Sequence, residues 1–232
     1  MTLQAVFFDF DGVIADTEPL HLRAYQAVLQ ADGIDLNQTE YYGRYLGYDD
    51  VGLFEALAKD RGLMLTDEKI DQWVAMKSAI IEDMLKSDSI VFAGAAGCVK
   101  MLAEHVPLAI ASGALEPEID MVLQHAGLRR HFAAIASAPD GVRGKPAPDL
   151  YLLAIAKLQD GRPHPLDPAM CIAIEDSHWG LEAAQRAGLR CVAVTHTYPA
   201  AQLEKADLIV DALSDVTISN IEALMRDNGP AR

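Results

Sequence analysis

Short apolar runs separated by longer amphipathic stretches dominate this chain. Apolar runs lie at residues 4–10, 107–111, 132–136, 170–174, 190–195 and 207–210. Each has the length of a strand, and the lack of polar alternation predicts burial on both faces. Helical periodicity fills the intervals at 95–105, 116–126, 148–158, 178–187 and 216–226. Strands alternating with helices predict an α/β fold, a doubly wound parallel sheet with helices on both faces.

Between Thr17 and Ile90 no strand pattern is visible. Helical patterns run from Pro19 to Ala31, Val51 to Arg61 and Asp67 to Leu85. Asp16, Thr17 and Pro19 supply start signals for the first, Asp49 and Asp50 for the second, and Thr66 for the third. Residues 1–16 and 91–232 are therefore expected to form the α/β catalytic core. Residues 17–90 are expected to form a helical cap over the C-terminal edge of the sheet, closing on substrate and excluding water. The alternative is a packed helical extension.

The first strand, Ala5-Val6-Phe7-Phe8, runs into Asp9-Phe10-Asp11-Gly12. It delivers two carboxylates to the sheet edge where open parallel sheets bind ligands. Carboxylates so close repel unless a cation binds or one is protonated. A hard Mg²⁺ ion takes oxygen ligands and bridges to phosphate. One carboxylate can attack phosphorus, while the other exchanges a proton with the leaving group. Asp-x-Asp-Gly is also ordinary turn chemistry.

Three later segments extend the pattern. Ser112-Gly113 follows the strand Leu108-Ala109-Ile110-Ala111 and suits a phosphate oxygen, or a plain turn. Lys145 stands in Gly144-Lys145-Pro146-Ala147-Pro148-Asp149, where an ammonium can neutralise developing charge or remain a solvated loop group. Glu175-Asp176-Ser177 ends the strand Cys171-Ile172-Ala173-Ile174; the acids can hold a metal or complement a helix dipole. No phosphate-binding Gly-x-x-x-x-Gly-Lys-[Ser/Thr] loop is present.

Composition narrows the partners. The chain has 232 residues with a formal net charge of −15, which disfavours nucleic acid and anionic membranes. A small phosphorylated metabolite remains compatible if positive charge is concentrated locally. Cys98, Cys171 and Cys191 have no pairing pattern and are expected as buried free thiols in a reducing compartment. With neither a signal-peptide pattern nor a membrane-length apolar run, the reading is a cytoplasmic protein, a monomer by default.

The four motifs in order resemble the haloacid dehalogenase superfamily, in the subfamily whose helical cap follows the first motif. Phe7-Phe8-Asp9-Phe10-Asp11-Gly12-Val13-Ile14-Ala15-Asp16-Thr17-Glu18 is similar to the branch holding β-phosphoglucomutase and small sugar-phosphate or phosphoglycolate phosphatases. The resemblance implies Asp9 as nucleophile, Asp11 as general acid/base, and Ser112, Gly113 and Lys145 as phosphate-binding residues. It implies Mg²⁺ held by Asp9, the Asp11 backbone carbonyl, and Glu175 or Asp176. In the cap it points to Thr17, His21, Arg44 and Lys77 as substrate residues.

The resemblance favours a phosphatase acting on a small phosphomonoester through an aspartyl-phosphate. The alternatives are a phosphosugar mutase and a non-catalytic metabolite-binding relative. Leu46 and Asp50 stand where the mutases carry basic residues, and Gly113-Ala114-Leu115-Glu116 replaces their serine, lysine and asparagine. Thr17, His21 and Lys77 do fit the mutase pattern, and Arg44 could partly compensate. Asp11 argues against dehalogenation, which needs no proton for a phosphate leaving group.

Overall fold

The computed structural model describes residues 3–46, 48–85, 90–137 and 141–226. It divides into two compact units, Met1–Asp16 with Ser89–Arg232, and Thr17–Asp88.

The first unit holds six strands: β1 (Ala5–Phe8), β2 (Leu108–Ala111), β3 (Phe132–Ala136), β4 (Cys171–Glu175), β5 (Arg190–Val194) and β6 (Leu208–Val210). They form one parallel sheet in the order β3-β2-β1-β4-β5-β6. Every residue of β1, β2 and β4 is buried, because helices cover the central strands on both faces. On one face, Ala5, Phe7, Ala109, Ala173 and Cys191 pack with Leu150, Tyr151 and Ala154 of α7 (Asp149–Gln159) and Leu181 and Ala184 of α8 (His178–Arg186). The small residues of the strands let the helix faces approach closely. All three cysteines are free and buried.

The strand order places β2, β1 and β4 side by side at the centre, with Phe8 opposite both Ile110 and Ile174. This register brings the segments after the three strands to one edge, and Asp9 N–H donates to the Ile174 carbonyl at 3.0 Å. The order changes direction about β1, where a ligand site is expected in such sheets.

The second unit is helical: α1 (Glu18–Gln30), a short turn α2 (Gln38–Glu40) running into a π-helical turn at Tyr41–Tyr45, α3 (Asp50–Arg61) and α4 (Asp67–Leu85). Its core joins Tyr25, Val28 and Leu29 of α1 with Phe54 and Leu57 of α3 and Trp73 of α4. Asp49 caps α3 by accepting from Gly52 N–H at 2.7 Å, and Gly62 ends it in the left-handed conformation. Thr66 accepts from Lys69 N–H at 3.3 Å at the start of α4. Thr17 differs from expectation. Its backbone is already helical and its side chain makes no capping bond, so Pro19 and Glu18 carry the start signal for α1. The remaining helices, α5 (Ala95–Ala103), α6 (Glu116–His125) and α9 (Ile218–Arg226), belong to the α/β unit. No helix among the described residues is long and apolar enough to cross a membrane.

Candidate active site

Asp9 is the first residue beyond β1. One oxygen, Oδ1, accepts from Phe10 N–H at 2.7 Å; the other, Oδ2, lies 2.8 Å from the Lys145 ammonium. Lys145 also lies 2.7 Å from Oε1 of Glu175, at the end of β4. The ammonium thus sits between two carboxylates, in close ion pairs whose directions fall outside hydrogen-bond geometry. Burial opposes its charge, but Asp9 and Glu175 outweigh burial and hold its pKa above the usual lysine value.

Asp9, Glu175 and Asp176 form a buried acidic group whose ligand atoms lie within 4.8 Å of one another. Burial and then the Asp9 charge push Glu175 up to about 7, with Lys145 and Tyr151 pulling the other way. Burial, then Asp9 and Glu175, also raise Asp176 well above the ordinary carboxylate range. Three acids share a single lysine, so with all three ionised negative charge would exceed positive, and burial with the Asp9 charge instead favours protons on Glu175 and Asp176. Glu175 Oε2 is buried with no hydrogen-bond partner. An orphan carboxylate oxygen among other carboxylate oxygens fits a hard divalent cation. The side-chain group omits Asp11, whose expected ligand atom was the backbone carbonyl.

The supports around this group are built from glycines and caps. Tyr151 on α7 donates to Glu175 Oε1 at 2.5 Å and thereby fixes that carboxylate. Nothing in the spacing of the sequence announced this partner. Ser177 accepts from Gly180 N–H at 3.1 Å and caps α8, so the first turn of the helix packs against Glu175. A Cβ at Gly180 would collide with the Glu175 carboxylate. Gly12 has φ +73° and backs onto the Asp176 carboxylate and the Thr197 hydroxyl, where a side chain would collide. It forms the turn that carries Asp11, closed by Gly12 N–H to Ala15 carbonyl at 2.9 Å and Ile14 N–H to Phe10 carbonyl at 2.9 Å.

Ser112 and Gly113 follow β2 at the same edge. Ser112 is buried, its hydroxyl oxygen accepts from Ala114 N–H at 3.1 Å, and its own N–H donates to the Ala136 carbonyl at 3.0 Å. Gly113 is exposed, and nothing stands where its Cβ would project.

The four residues expected in the cap fall in or at the start of the helical unit. Thr17 is buried at the start of α1. Lys77 is buried on α4 and pairs with Asp50 at 2.7 Å; Tyr25 O–H donates to the same Asp50 oxygen at 2.6 Å. His21 stands beside them, half-buried, and burial followed by the Lys77 charge lowers its pKa to about 3. Arg44 is apart from this cluster, paired with Asp60 at 2.7 Å. Tyr45 is buried with its hydroxyl on Asp60, whereas Tyr48 is exposed; Gly47 of that loop lies outside the described residues.

Residues 3–188 match the family model described as haloacid dehalogenase-like hydrolase. The chain belongs to that family of hydrolases. The CbbY protein of Cupriavidus necator is 33% identical over 229 residues, covering 92% of this chain and 87% of the relative. The fructose-1-phosphate phosphatase YqaB of Escherichia coli is 29% identical over 189 residues, covering 82% of this chain and 95% of the relative. The crystal structure of β-phosphoglucomutase from Clostridium difficile superposes with a TM-score of 0.81 at 22% identity, covering 97% of each chain. That likeness concerns the fold: this haloacid dehalogenase-like hydrolase has the same α/β architecture.

Proposed function

We propose that this hydrolase removes phosphate from a small phosphorylated sugar or similar phosphomonoester through a phosphoaspartyl intermediate on Asp9. The observation that carries the reading is the Lys145 ammonium held between Asp9 and Glu175 at the end of β1, beside Asp176. A phosphatase among the relatives supports the reaction class, and its named substrate supports a sugar phosphate.

In this reading an Asp9 oxygen attacks phosphorus as the bond to the sugar oxygen breaks. Asp11, on the adjoining turn, gives its proton to the departing alkoxide. The carboxylate so formed then takes a proton from the water that opens the acyl phosphate, returning both groups to their starting state. Lys145 and the Ser112 hydroxyl, with the backbone N–H groups near Gly113, hold the phosphoryl oxygens while charge redistributes. Asp9, Glu175 and Asp176 would hold Mg²⁺, which when bound neutralises phosphoryl charge and satisfies the orphan Glu175 oxygen. The α/β unit serves as catalytic core and the Thr17–Asp88 unit as a cap. Lys77 is neutralised by Asp50 and Arg44 by Asp60, which weakens the case for a bisphosphate-handling mutase.

The test is phosphate release from a panel of phosphomonoesters with Mg²⁺, for the parent and Asp11→Asn. Glucose 6-phosphate is followed in parallel from β-glucose 1-phosphate plus glucose 1,6-bisphosphate. The expected result is a kcat/KM for alkyl esters that falls at least about 100-fold in Asp11→Asn, with a smaller loss of kcat/KM on an aryl ester whose leaving group needs little protonation. Glucose 6-phosphate formation without net phosphate release would replace the phosphatase by a mutase.

A further inference from the structure

The loop after β5 touches the site at two points. The Thr197 side chain hydrogen-bonds to Asp176. One residue earlier, His196 Nδ1 lies 2.9 Å from the Gly12 carbonyl oxygen. A carbonyl only accepts, so this nitrogen carries the proton and donates. The imidazole also stacks on Phe92, with ring centroids 4.0 Å apart and an interplanar angle of 25°.

Phe92 belongs to a segment tied to the same turn. Its N–H donates to the Ile14 carbonyl at 2.9 Å, Asp16 N–H donates to the Ile90 carbonyl at 2.7 Å, and Ala15 bridges antiparallel to Val91. The segments by which the chain leaves and re-enters the α/β unit are therefore zipped together. The turn Phe10–Ala15 closes on itself through Phe10 and Ala15 carbonyls, but its Gly12 carbonyl points outward and is caught by His196. The peptide that leads from Asp11 into Gly12 is thus fixed from both sides: Ala15 holds its N–H, and His196 holds the next carbonyl.

We propose that His196 is a positioning residue for Asp11, acting through the Gly12 carbonyl. It rests on the phosphatase reading, in which Asp11 transfers the leaving-group proton. Proton transfer depends on geometry far more steeply than binding does. Loss of the donor therefore slows phosphoryl transfer to Asp9 from esters that need protonation, which kcat/KM reads, and leaves that transfer almost untouched for activated esters; the opening of the acyl phosphate slows equally for both. Packing alone would predict otherwise, since a phenylalanine keeps the stack on Phe92 and loses only the N–H.

The experiment compares parent, H196F and H196N on an alkyl phosphomonoester and on p-nitrophenyl phosphate, each also in the Asp11→Asn background. An asparagine amide nitrogen occupies nearly the place of Nδ1, so H196N restores the donor without the ring. H196F should lose roughly tenfold or more in kcat/KM on the alkyl ester and less than about twofold in kcat/KM on the aryl ester. H196N should recover most of that loss, and in Asp11→Asn the substitution H196F should add none. Should H196F not fold, H196N against H196Q makes the same comparison, because the longer amide sets its donor away from Gly12. Equal losses in kcat/KM on both esters, or a further loss in the Asp11→Asn background, would overturn the proposal while leaving the phosphatase reading intact. A parent without Asp9-dependent phosphate release would overturn both.

Discussion

Glu175→Gln tests the electrostatics of the site without any substrate. In the metal-free protein, burial and then Asp9 raise the Glu175 pKa from an ordinary 4.5 to about 7. The folded state therefore keeps a proton that the unfolded chain has lost. Stability from this group is complete below pH 4.5, falls as pH rises toward 7, and is flat above. At about 1.4 kcal/mol per pH unit, the loss across that window is about 3 kcal/mol. Asp176 is raised in the same direction and adds to the fall. The readout is the slope and not the absolute stability, because glutamine also removes a partner of Lys145. Thermal unfolding in EDTA between pH 5 and pH 8 should show the parent losing stability with rising pH, at about 2–4 °C per kcal/mol. Glu175→Gln should show a visibly shallower fall, with the Asp176 contribution remaining. Saturating Mg²⁺ should reverse the parent's trend, since the ion binds ionised carboxylates and stabilises only the folded state. Equal slopes for the two proteins in EDTA would refute the reasoning.

Two further substitutions probe the supports of the site and of the helical unit. Gly180→Ala should destabilise by about 1–3 kcal/mol in chemical unfolding, although alanine is the better helix former by about 1 kcal/mol, because its Cβ meets a Glu175 carboxylate pinned by Tyr151 and Lys145; a stabilised variant would show that the carboxylate is free to move. Asp50→Ala should cost about 2–3 kcal/mol by leaving buried Lys77 unpaired, while Lys77→Met, which removes the charge and keeps the stem, should cost under about 1 kcal/mol. The opposite ranking in urea unfolding would mean that Lys77 is solvated.

The sheet was legible because a parallel strand covered on both faces is written as an uninterrupted apolar run. All six such runs became strands, including Val6-Phe7-Phe8 and Ile172-Ala173-Ile174. The acids end strands that run parallel, so Asp9 and at least one of Glu175 and Asp176 are legible at a shared edge, whereas the grouping of all three carboxylates is visible only in the structure. What remained hidden depended on partners distant in the chain. Tyr151 reads as one apolar residue in a helical stripe, yet its hydroxyl fixes Glu175. His196 reads as a loop residue, and its partner Gly12 is 184 positions away. In the helical unit, Asp49 and Asp50 both read as caps for α3; Asp49 takes that role, and Asp50 pairs instead with Lys77 and Tyr25. The π-helical turn Tyr41–Tyr45 left no periodic signal, since five residues are too few to establish one.

The central claim is that Asp9 carries the phosphoryl group. Its most direct test is rapid acid quench of the Mg²⁺-loaded protein during turnover of a phosphomonoester, followed by peptide mapping of acid-stable phosphate. The account predicts phosphate on the peptide containing Asp9, absent in Asp9→Asn along with all phosphate release. Phosphate release that persists in Asp9→Asn, or a label on another residue, would contradict it.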